Sequence, residues 1–293
     1  MSARPAPDAK PKPRVRLPWW KKLGFSLLTT FAVFVTLELV LALFGVRPLL
    51  YDEDPYVGFA SYVPLFEEQT DSAGQAVMAT APNKLTWFNE QRFLRDKPAG
   101  TYRIFCLGGS TTYGRPYDDA TSFSGWLREF LAEADPSRRW EVINAGGISY
   151  ASYRVAKLLE EDLVEYGPDL IIIYSGHNEF LERRTYAGVI ETPSAVRNVG
   201  GLVGRSRTYT ALKRLTDAVR DRPSERDELS SEVRSILDDT IGPEAYHRDE
   251  ELRRQVVAHY RFNLHRMIDI ARASGSEVVL VTPASNLRSC SPF

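Results

Sequence analysis

The chain has 293 residues, 43% of them hydrophobic and 26% charged, with 18 Pro and 19 Gly. That balance excludes a wholly disordered, collagen-like or coiled-coil chain and leaves ample length for a large core. A formal net charge of −1 argues against a nucleic-acid binder, and two cysteines, Cys106 and Cys290, are too few for a disulfide scaffold and lack metal-ligand spacing.

The charge is unevenly spread. Arg4, Lys10, Lys12, Arg14, Arg16, Lys21 and Lys22 precede Leu23 against one acid, Asp8, so the remainder carries an acidic excess of seven. Residues 1–22 read as a basic, Pro- and Ala-rich arm attracted to anionic lipid. Leu23 to Val46 comes next as the longest apolar run, with one charge, Glu38. It is long enough to span a hydrocarbon core of about 30 Å, and Trp19 and Trp20 stand where aromatic rings favour the interface. The preceding cations predict a cytoplasmic N-terminus with everything after about Arg47 outside the cytoplasm. The competing readings are a cleaved signal peptide and a buried core helix. The run exceeds a usual signal core of about 7–15 residues, and no small-x-small site comes after it. Glu38 marks either a helix–helix contact or a tolerated defect.

Residues 47–100 lack long periodicity and read as a juxtamembrane connector of loops and short strands. From Thr101 the pattern is α/β. Tyr102 to Leu107 is an apolar strand ending in Gly108-Gly109, and Phe123 to Ala134 has helical spacing. Trp140 to Ile143 is a second strand, Ser152 to Tyr166 a helix stopped by Gly167-Pro168, and Leu170 to Tyr174 a strand buried on both faces. Residues 195–250 are charged and helical, and the 213–254 stretch is either a solvated helix face or a lid. Glu251 to Ala273 is a long helix and Glu277 to Thr282 a fourth strand. Strands alternating with helices predict a three-layer αβα domain around a parallel sheet, over 101–293. Such a sheet usually ends with a further element, so the domain is expected to extend beyond Phe293.

Ligands in open α/β sheets bind beyond the carboxyl ends of the strands. Three such ends pair glycine with polar side chains: Gly108-Gly109-Ser110 with Gly114, then Asn144 to Tyr150, then Gly176-His177-Asn178-Glu179. Together, in this order, they resemble the SGNH/GDSL hydrolase superfamily. The resemblance implies a flavodoxin-like parallel sheet and no cofactor or metal. It implies Ser110 as nucleophile, in the place of the family's G-D-S-x-x-x-G block. It implies an oxyanion hole from the amides of Ser110 and Ser149 and the Asn178 side chain, with Gly147 as the alternative to Ser149. Gly109 stands where the family has Asp, Glu179 where its G-x-N-D block ends in Asp, and Ser149 where it commonly has Gly.

A serine hydroxyl needs a general base in hydrogen-bond reach, and a tetrahedral oxyanion needs preorganised donors. The family's base comes from a late D-x-x-H, which this chain lacks. His177 lies inside the third block, and His259 and His265 lie six apart on the long helix, as structural or surface residues. Glu244 to His247 imitates the missing block but precedes the fourth strand, so the base is expected outside this chain. Two other readings of the serine loop fail: no Lys comes after it as in a P-loop, and Thr112 replaces the last Gly of a G-x-S-x-G elbow. Ser110 as a mere helix cap, and Cys106 as a buried strand residue, are the bland readings. The expected function is ester hydrolysis through an acyl-serine. O-acetyl transfer or deacetylation on envelope glycan, and a non-catalytic anchored scaffold, are the alternatives. The expected partners are the bilayer and an acyl ester or acetylated glycan, with no nucleic acid.

Overall fold

The structure is a computed structural model that describes residues 18–48, 64–181, 203–219 and 249–284. The basic arm up to residue 17, Glu244 with His247, and the residues after 284 lie outside the described residues. Among the described residues, one helix is long and apolar enough to cross a membrane: α1 (Trp19–Leu43), with mean hydropathy 2.1 over its most apolar window and no buried residue. It begins four residues before the predicted run and takes in both tryptophans.

Residues 64–100 are more than a tether. Strands β1 (Phe66–Thr70), β2 (Ala76–Thr80) and β3 (Arg92–Leu94) form an antiparallel sheet in that order. Asp71 closes the first hairpin, its Oδ1 accepting from Ala73 N and Gln75 N at 2.8 Å each, the side chain standing in for a backbone turn. Leu65, Phe66, Met78, Phe88 and Phe93 enter the same hydrophobic cluster as the central strands of the domain. The ring of Phe93 meets Phe66, Phe105 and Tyr166 edge-on at 5.0–5.7 Å. The connector expected over 47–100 thus shares, in its described part, the core of the α/β domain.

From residue 101 the elements alternate as β4 (Thr101–Gly108), α2 (Ser110–Tyr113), α3 (Phe123–Ala134), β5 (Arg139–Gly146), α4 (Ser152–Leu158) and β6 (Leu170–Tyr174). After them come α5 (Arg207–Val219), α6 (Glu250–Ala273) and β7 (Glu277–Leu280). Strands β5-β4-β6-β7 lie side by side in that order, all parallel. The predicted α/β class and parallel sheet are borne out.

Alternation along β4 sends its side chains to two cores. Ile104 and Cys106 pack with Val142, Ile172 and the α3 residues Phe123, Leu127 and Leu131. Phe105 and Leu107 pack with Ile143, Ile171, Ile173, the α4 residues Val155 and Ala156, and Met267 and Ala271 of α6. Helices therefore cover both faces. Helix α4 runs on through a widened π turn over 159–163, which keeps Leu159 and Leu163 in the core, and stops at Gly167 with φ 62°. In the ladder Gly108 lies opposite both Gly146 and Tyr174. Three strands therefore end level, and the loops after them leave from one edge of the sheet.

Candidate active site

Strand β4 ends at Gly108 and the chain passes through Gly109 into α2, whose first residue is Ser110. Close approach explains both glycines. A Cβ on Gly108 would lie 2.0 Å from Tyr174 O and 2.2 Å from Thr112 Oγ1, and one on Gly109 would lie 2.7 Å from Asn178 Nδ2 and 3.0 Å from Tyr150 O. Bare backbone here lets the loops after β5 and β6 press against the serine turn. Three side chains hold the turn from beneath. Thr112 Oγ1 donates to Tyr174 O at 3.1 Å, and Asn89 Nδ2 (2.7 Å) and Asn144 Nδ2 (3.2 Å) both donate to Tyr113 O.

In the loop after β5, Gly147 N donates to Gly108 O at 3.0 Å, which occupies that amide. Ser149 then adopts φ 66°, the one positive φ outside glycine among the described residues. Its hydroxyl is buried with no hydrogen-bond partner there, and its carbonyl accepts from the Arg154 guanidinium, which lies 4.4 Å from the centre of the Tyr150 ring. A left-handed non-glycine residue persists only where its surroundings over-determine it, and such residues cluster at functional sites.

Asn178 arrives from the loop after β6. It is buried, and its Nδ2 donates to Tyr150 O at 3.0 Å beside Gly109. An amide nitrogen carries two N–H groups, so one remains after the bond to Tyr150. The structure thus brings the Gly109-Ser110 turn, the Gly147–Tyr150 loop and Asn178 into one contact. Ser110, the residue after Gly109, brings a hydroxyl to the edge of the sheet where these loops meet, and a serine hydroxyl and amide donors are the groups that acyl transfer requires.

Glu179 ties the second and third loops together. Its two oxygens accept from Ser152 N at 2.8 Å and Ser152 Oγ at 2.7 Å, and Asn263 Nδ2 donates to the same Oγ at 3.1 Å. Tyr260 OH donates to Ser175 O at 2.7 Å. Burial, with the nearby Glu179 charge, raises this phenol above its ordinary range and keeps it a neutral donor. Sequence reasoning missed Asn89, Thr112, Ser152, Tyr260 and Asn263. Asn144 and Glu179 stood inside the glycine-rich strand-end blocks, and their positions there were the available signal.

The histidines lie elsewhere. His177 is exposed, its Nε2 3.4 Å from Ala284 O and its ring edge-on to Tyr174 at 5.3 Å. His259 stacks on Tyr153 at 6.2 Å and touches Asn263, and His265 is exposed on α6. No histidine hydrogen-bonds to Ser110 among the described residues. Cys106 is buried, and burial pushes its thiol up to about 12, which leaves no thiolate for chemistry at neutral pH. Among the described residues no cluster of three or more His, Cys, Asp or Glu is placed to hold a metal ion.

No protein-family model matches the chain, and no curated protein sequence matches it. Solved structures do. A Bacteroides fragilis protein assigned as an acylhydrolase is 14% identical, with a TM-score of 0.30 over 64% of this chain and 51% of its own. The SGNH-family esterase AlinE4 is 15% identical, with a TM-score of 0.29 over 62% of this chain and 77% of its own. The acetyl xylan esterase AlAXEase is 10% identical, with a TM-score of 0.27 over 61% and 76%. The chain spans about half the length of the first of these. At such identities and scores the likenesses carry nothing about activity.

Proposed function

We propose that the protein is a serine-dependent ester hydrolase of SGNH type, held at the membrane by α1 and acting outside the cytoplasm. The observation that carries this reading is the meeting of three level strand-end loops at Asn178, which touches Gly109 and hydrogen-bonds Tyr150 while Ser110 heads α2. Ser110 Oγ attacks the ester carbonyl carbon and passes its proton to a general base supplied from outside the described residues. The carbonyl oxygen becomes an oxyanion facing the Ser110 and Ser149 amides and the remaining N–H of Asn178. Collapse releases the alcohol with that proton and leaves an acyl-Ser110, which water hydrolyses. Donors already in place cost no reorganisation when the charge develops.

Anchoring rests on the apolar α1, the flanking tryptophans and the cations before Leu23. A further support is that Glu38 of α1 hydrogen-bonds to residues 206–208, a use in the fold that a removed signal would forfeit. The reading is tested by treating full-length protein in lipid nanodiscs with a fluorophosphonate probe. It expects one adduct, mapped to Ser110 and abolished in Ser110→Ala. Unchanged labelling of Ser110→Ala contradicts it.

A further inference from the structure

From the contacts of Glu38 we infer that α5 is a second membrane element: an in-plane helix whose apolar edge enters the outer leaflet of the bilayer. The inference rests on the reading of α1 as a membrane span.

Glu38 stands five residues before the end of α1, about 7.5 Å from it. A 25-residue helix is about 37 Å long and exceeds a hydrocarbon core of about 30 Å, so when centred it places Glu38 within about 4 Å of the core boundary. A carboxylate at that depth needs partners, and α5 supplies them. Ser206 Oγ donates to Glu38 at 2.6 Å, Arg207 N at 3.0 Å and Thr208 N at 2.9 Å. The last two are first-turn N–H groups that a helix leaves unsatisfied, and they carry its positive dipole end. Ser206 completes the cap by accepting from Tyr209 N at 3.2 Å. The head of α5 is therefore fixed to the membrane helix at interfacial depth.

The rest of α5 suits that depth. Leu212 and Leu215, one turn apart on the edge below Thr208, are 58% and 63% exposed, while Thr210 on the opposite side is buried. The leucine edge continues an apolar groove lined by Phe34 of α1, Val203 and Tyr209. Continuity with a lipid-facing residue of α1 selects lipid over a second protein as the occupant. The segment also carries the positive charges of Arg205, Arg207, Lys213 and Arg214, and positive charge near the interface favours anionic headgroups. With two contacts on the membrane, the domain has a set distance and tilt above it.

The test uses full-length protein carrying Cys290→Ser, in phosphatidylethanolamine–phosphatidylglycerol nanodiscs. Cysteines placed one at a time by Val33→Cys, Leu212→Cys, Leu215→Cys and Arg214→Cys are labelled with an environment-sensitive dye, the native Cys106 being buried, and protein without an added cysteine gives the background. Because Leu212, Leu215 and Arg214 are exposed, their replacement leaves the core untouched. The expected result is quenching at 212 and 215 by lipids brominated high in the acyl chain, quenching at 33, about 7.5 Å deeper than Glu38, by lipids brominated far down the chain, and iodide quenching only at 214. Glu38→Ala should lower the bromolipid quenching at 212 while leaving it unchanged at 33. Quenching at 33 but not at 212 and 215 overturns the inference. Iodide access there means a solvated edge, and shielding from both quenchers means a protein neighbour. Absence of quenching at 33 defeats the underlying reading of α1, and this inference with it.

Discussion

At the scale of single residues the site depends on groups that leave room for others. Gly109 has an ordinary backbone conformation, φ −92° and ψ −153°, so its role is space and not flexibility. In Gly109→Ala the new Cβ would stand 2.7 Å from Asn178 Nδ2 and 3.0 Å from Tyr150 O, and the side-chain amide yields before the backbone does. The expected outcome is a loss of about 10²-fold in kcat with a smaller change in melting temperature, the cost typical of a displacement near 1 Å at a reacting centre. Steady-state kinetics with calorimetry on the same samples check it. Asp162 gives a prediction on pH. It is buried, accepts from Leu65 N and from Tyr166 OH, and burial chiefly raises its carboxyl from 3.8 to about 6, against the opposing charge of Lys84. Below about 3.8 the carboxyl is protonated in both states, and between about 3.8 and about 6 only the folded state keeps the proton. This group's contribution to stability therefore falls as pH rises through that window, by about 3 kcal/mol, and is level above it. Asp162→Asn should remove that slope, so the melting temperature of the wild type minus that of the variant should decrease from pH 4 to pH 7. A constant difference contradicts the assignment.

At the scale of elements, the parallel sheet was legible because its strands are apolar runs and its helices have a 3.6-residue period. The spans Phe123–Ala134 and Leu170–Tyr174 stand in the structure as read. The small antiparallel sheet was not legible. Strand β1 reads Phe66-Glu67-Glu68-Gln69-Thr70 with one apolar residue, and β3 has three residues, too short to show a period of two. What makes that sheet part of the domain is long-range. Arg103 of β4, fully buried, reaches Glu141 of β5 through Nε, Tyr166 O through Nη1 and Leu94 O of β3 through Nη2, each at 2.7 Å. Its guanidinium also lies 5.0 Å from the centre of the Phe93 ring. The planar fork of arginine serves these three acceptors from three separate nitrogens, whereas the donors of lysine sit on a single one. Arg103→Ala should destabilise by about 3–5 kcal/mol because it leaves two carbonyls without their donor and Glu141 with only the longer contact to Arg139, 3.7 Å, and Arg103→Lys should recover only part of that in urea unfolding. The same limit applies at the site. The serine turn, the second loop and Asn178 were legible as glycine-rich strand ends. The struts Asn89, Ser152 and Asn263 were not, because each acts on a partner 24 to 111 residues away.

At the scale of the whole molecule, the proposed orientation rests on the cations that precede α1. Alkaline phosphatase fused after Phe293 should be active in a bacterial host, and β-galactosidase fused at the same point inactive. The reverse pattern overturns the orientation. The central claim is that the level strand ends build an oxyanion site around Ser110, and it is tested most directly by kcat, KM and melting temperature measured together on Asn178→Ala in full-length protein. Loss of one oxyanion donor should lower kcat by about 10²–10³-fold with KM little changed. The melting temperature should fall only as expected for loss of the single bond to Tyr150 O, about 1 kcal/mol. A normal kcat, or a loss of rate that merely tracks the folded fraction, would contradict the account.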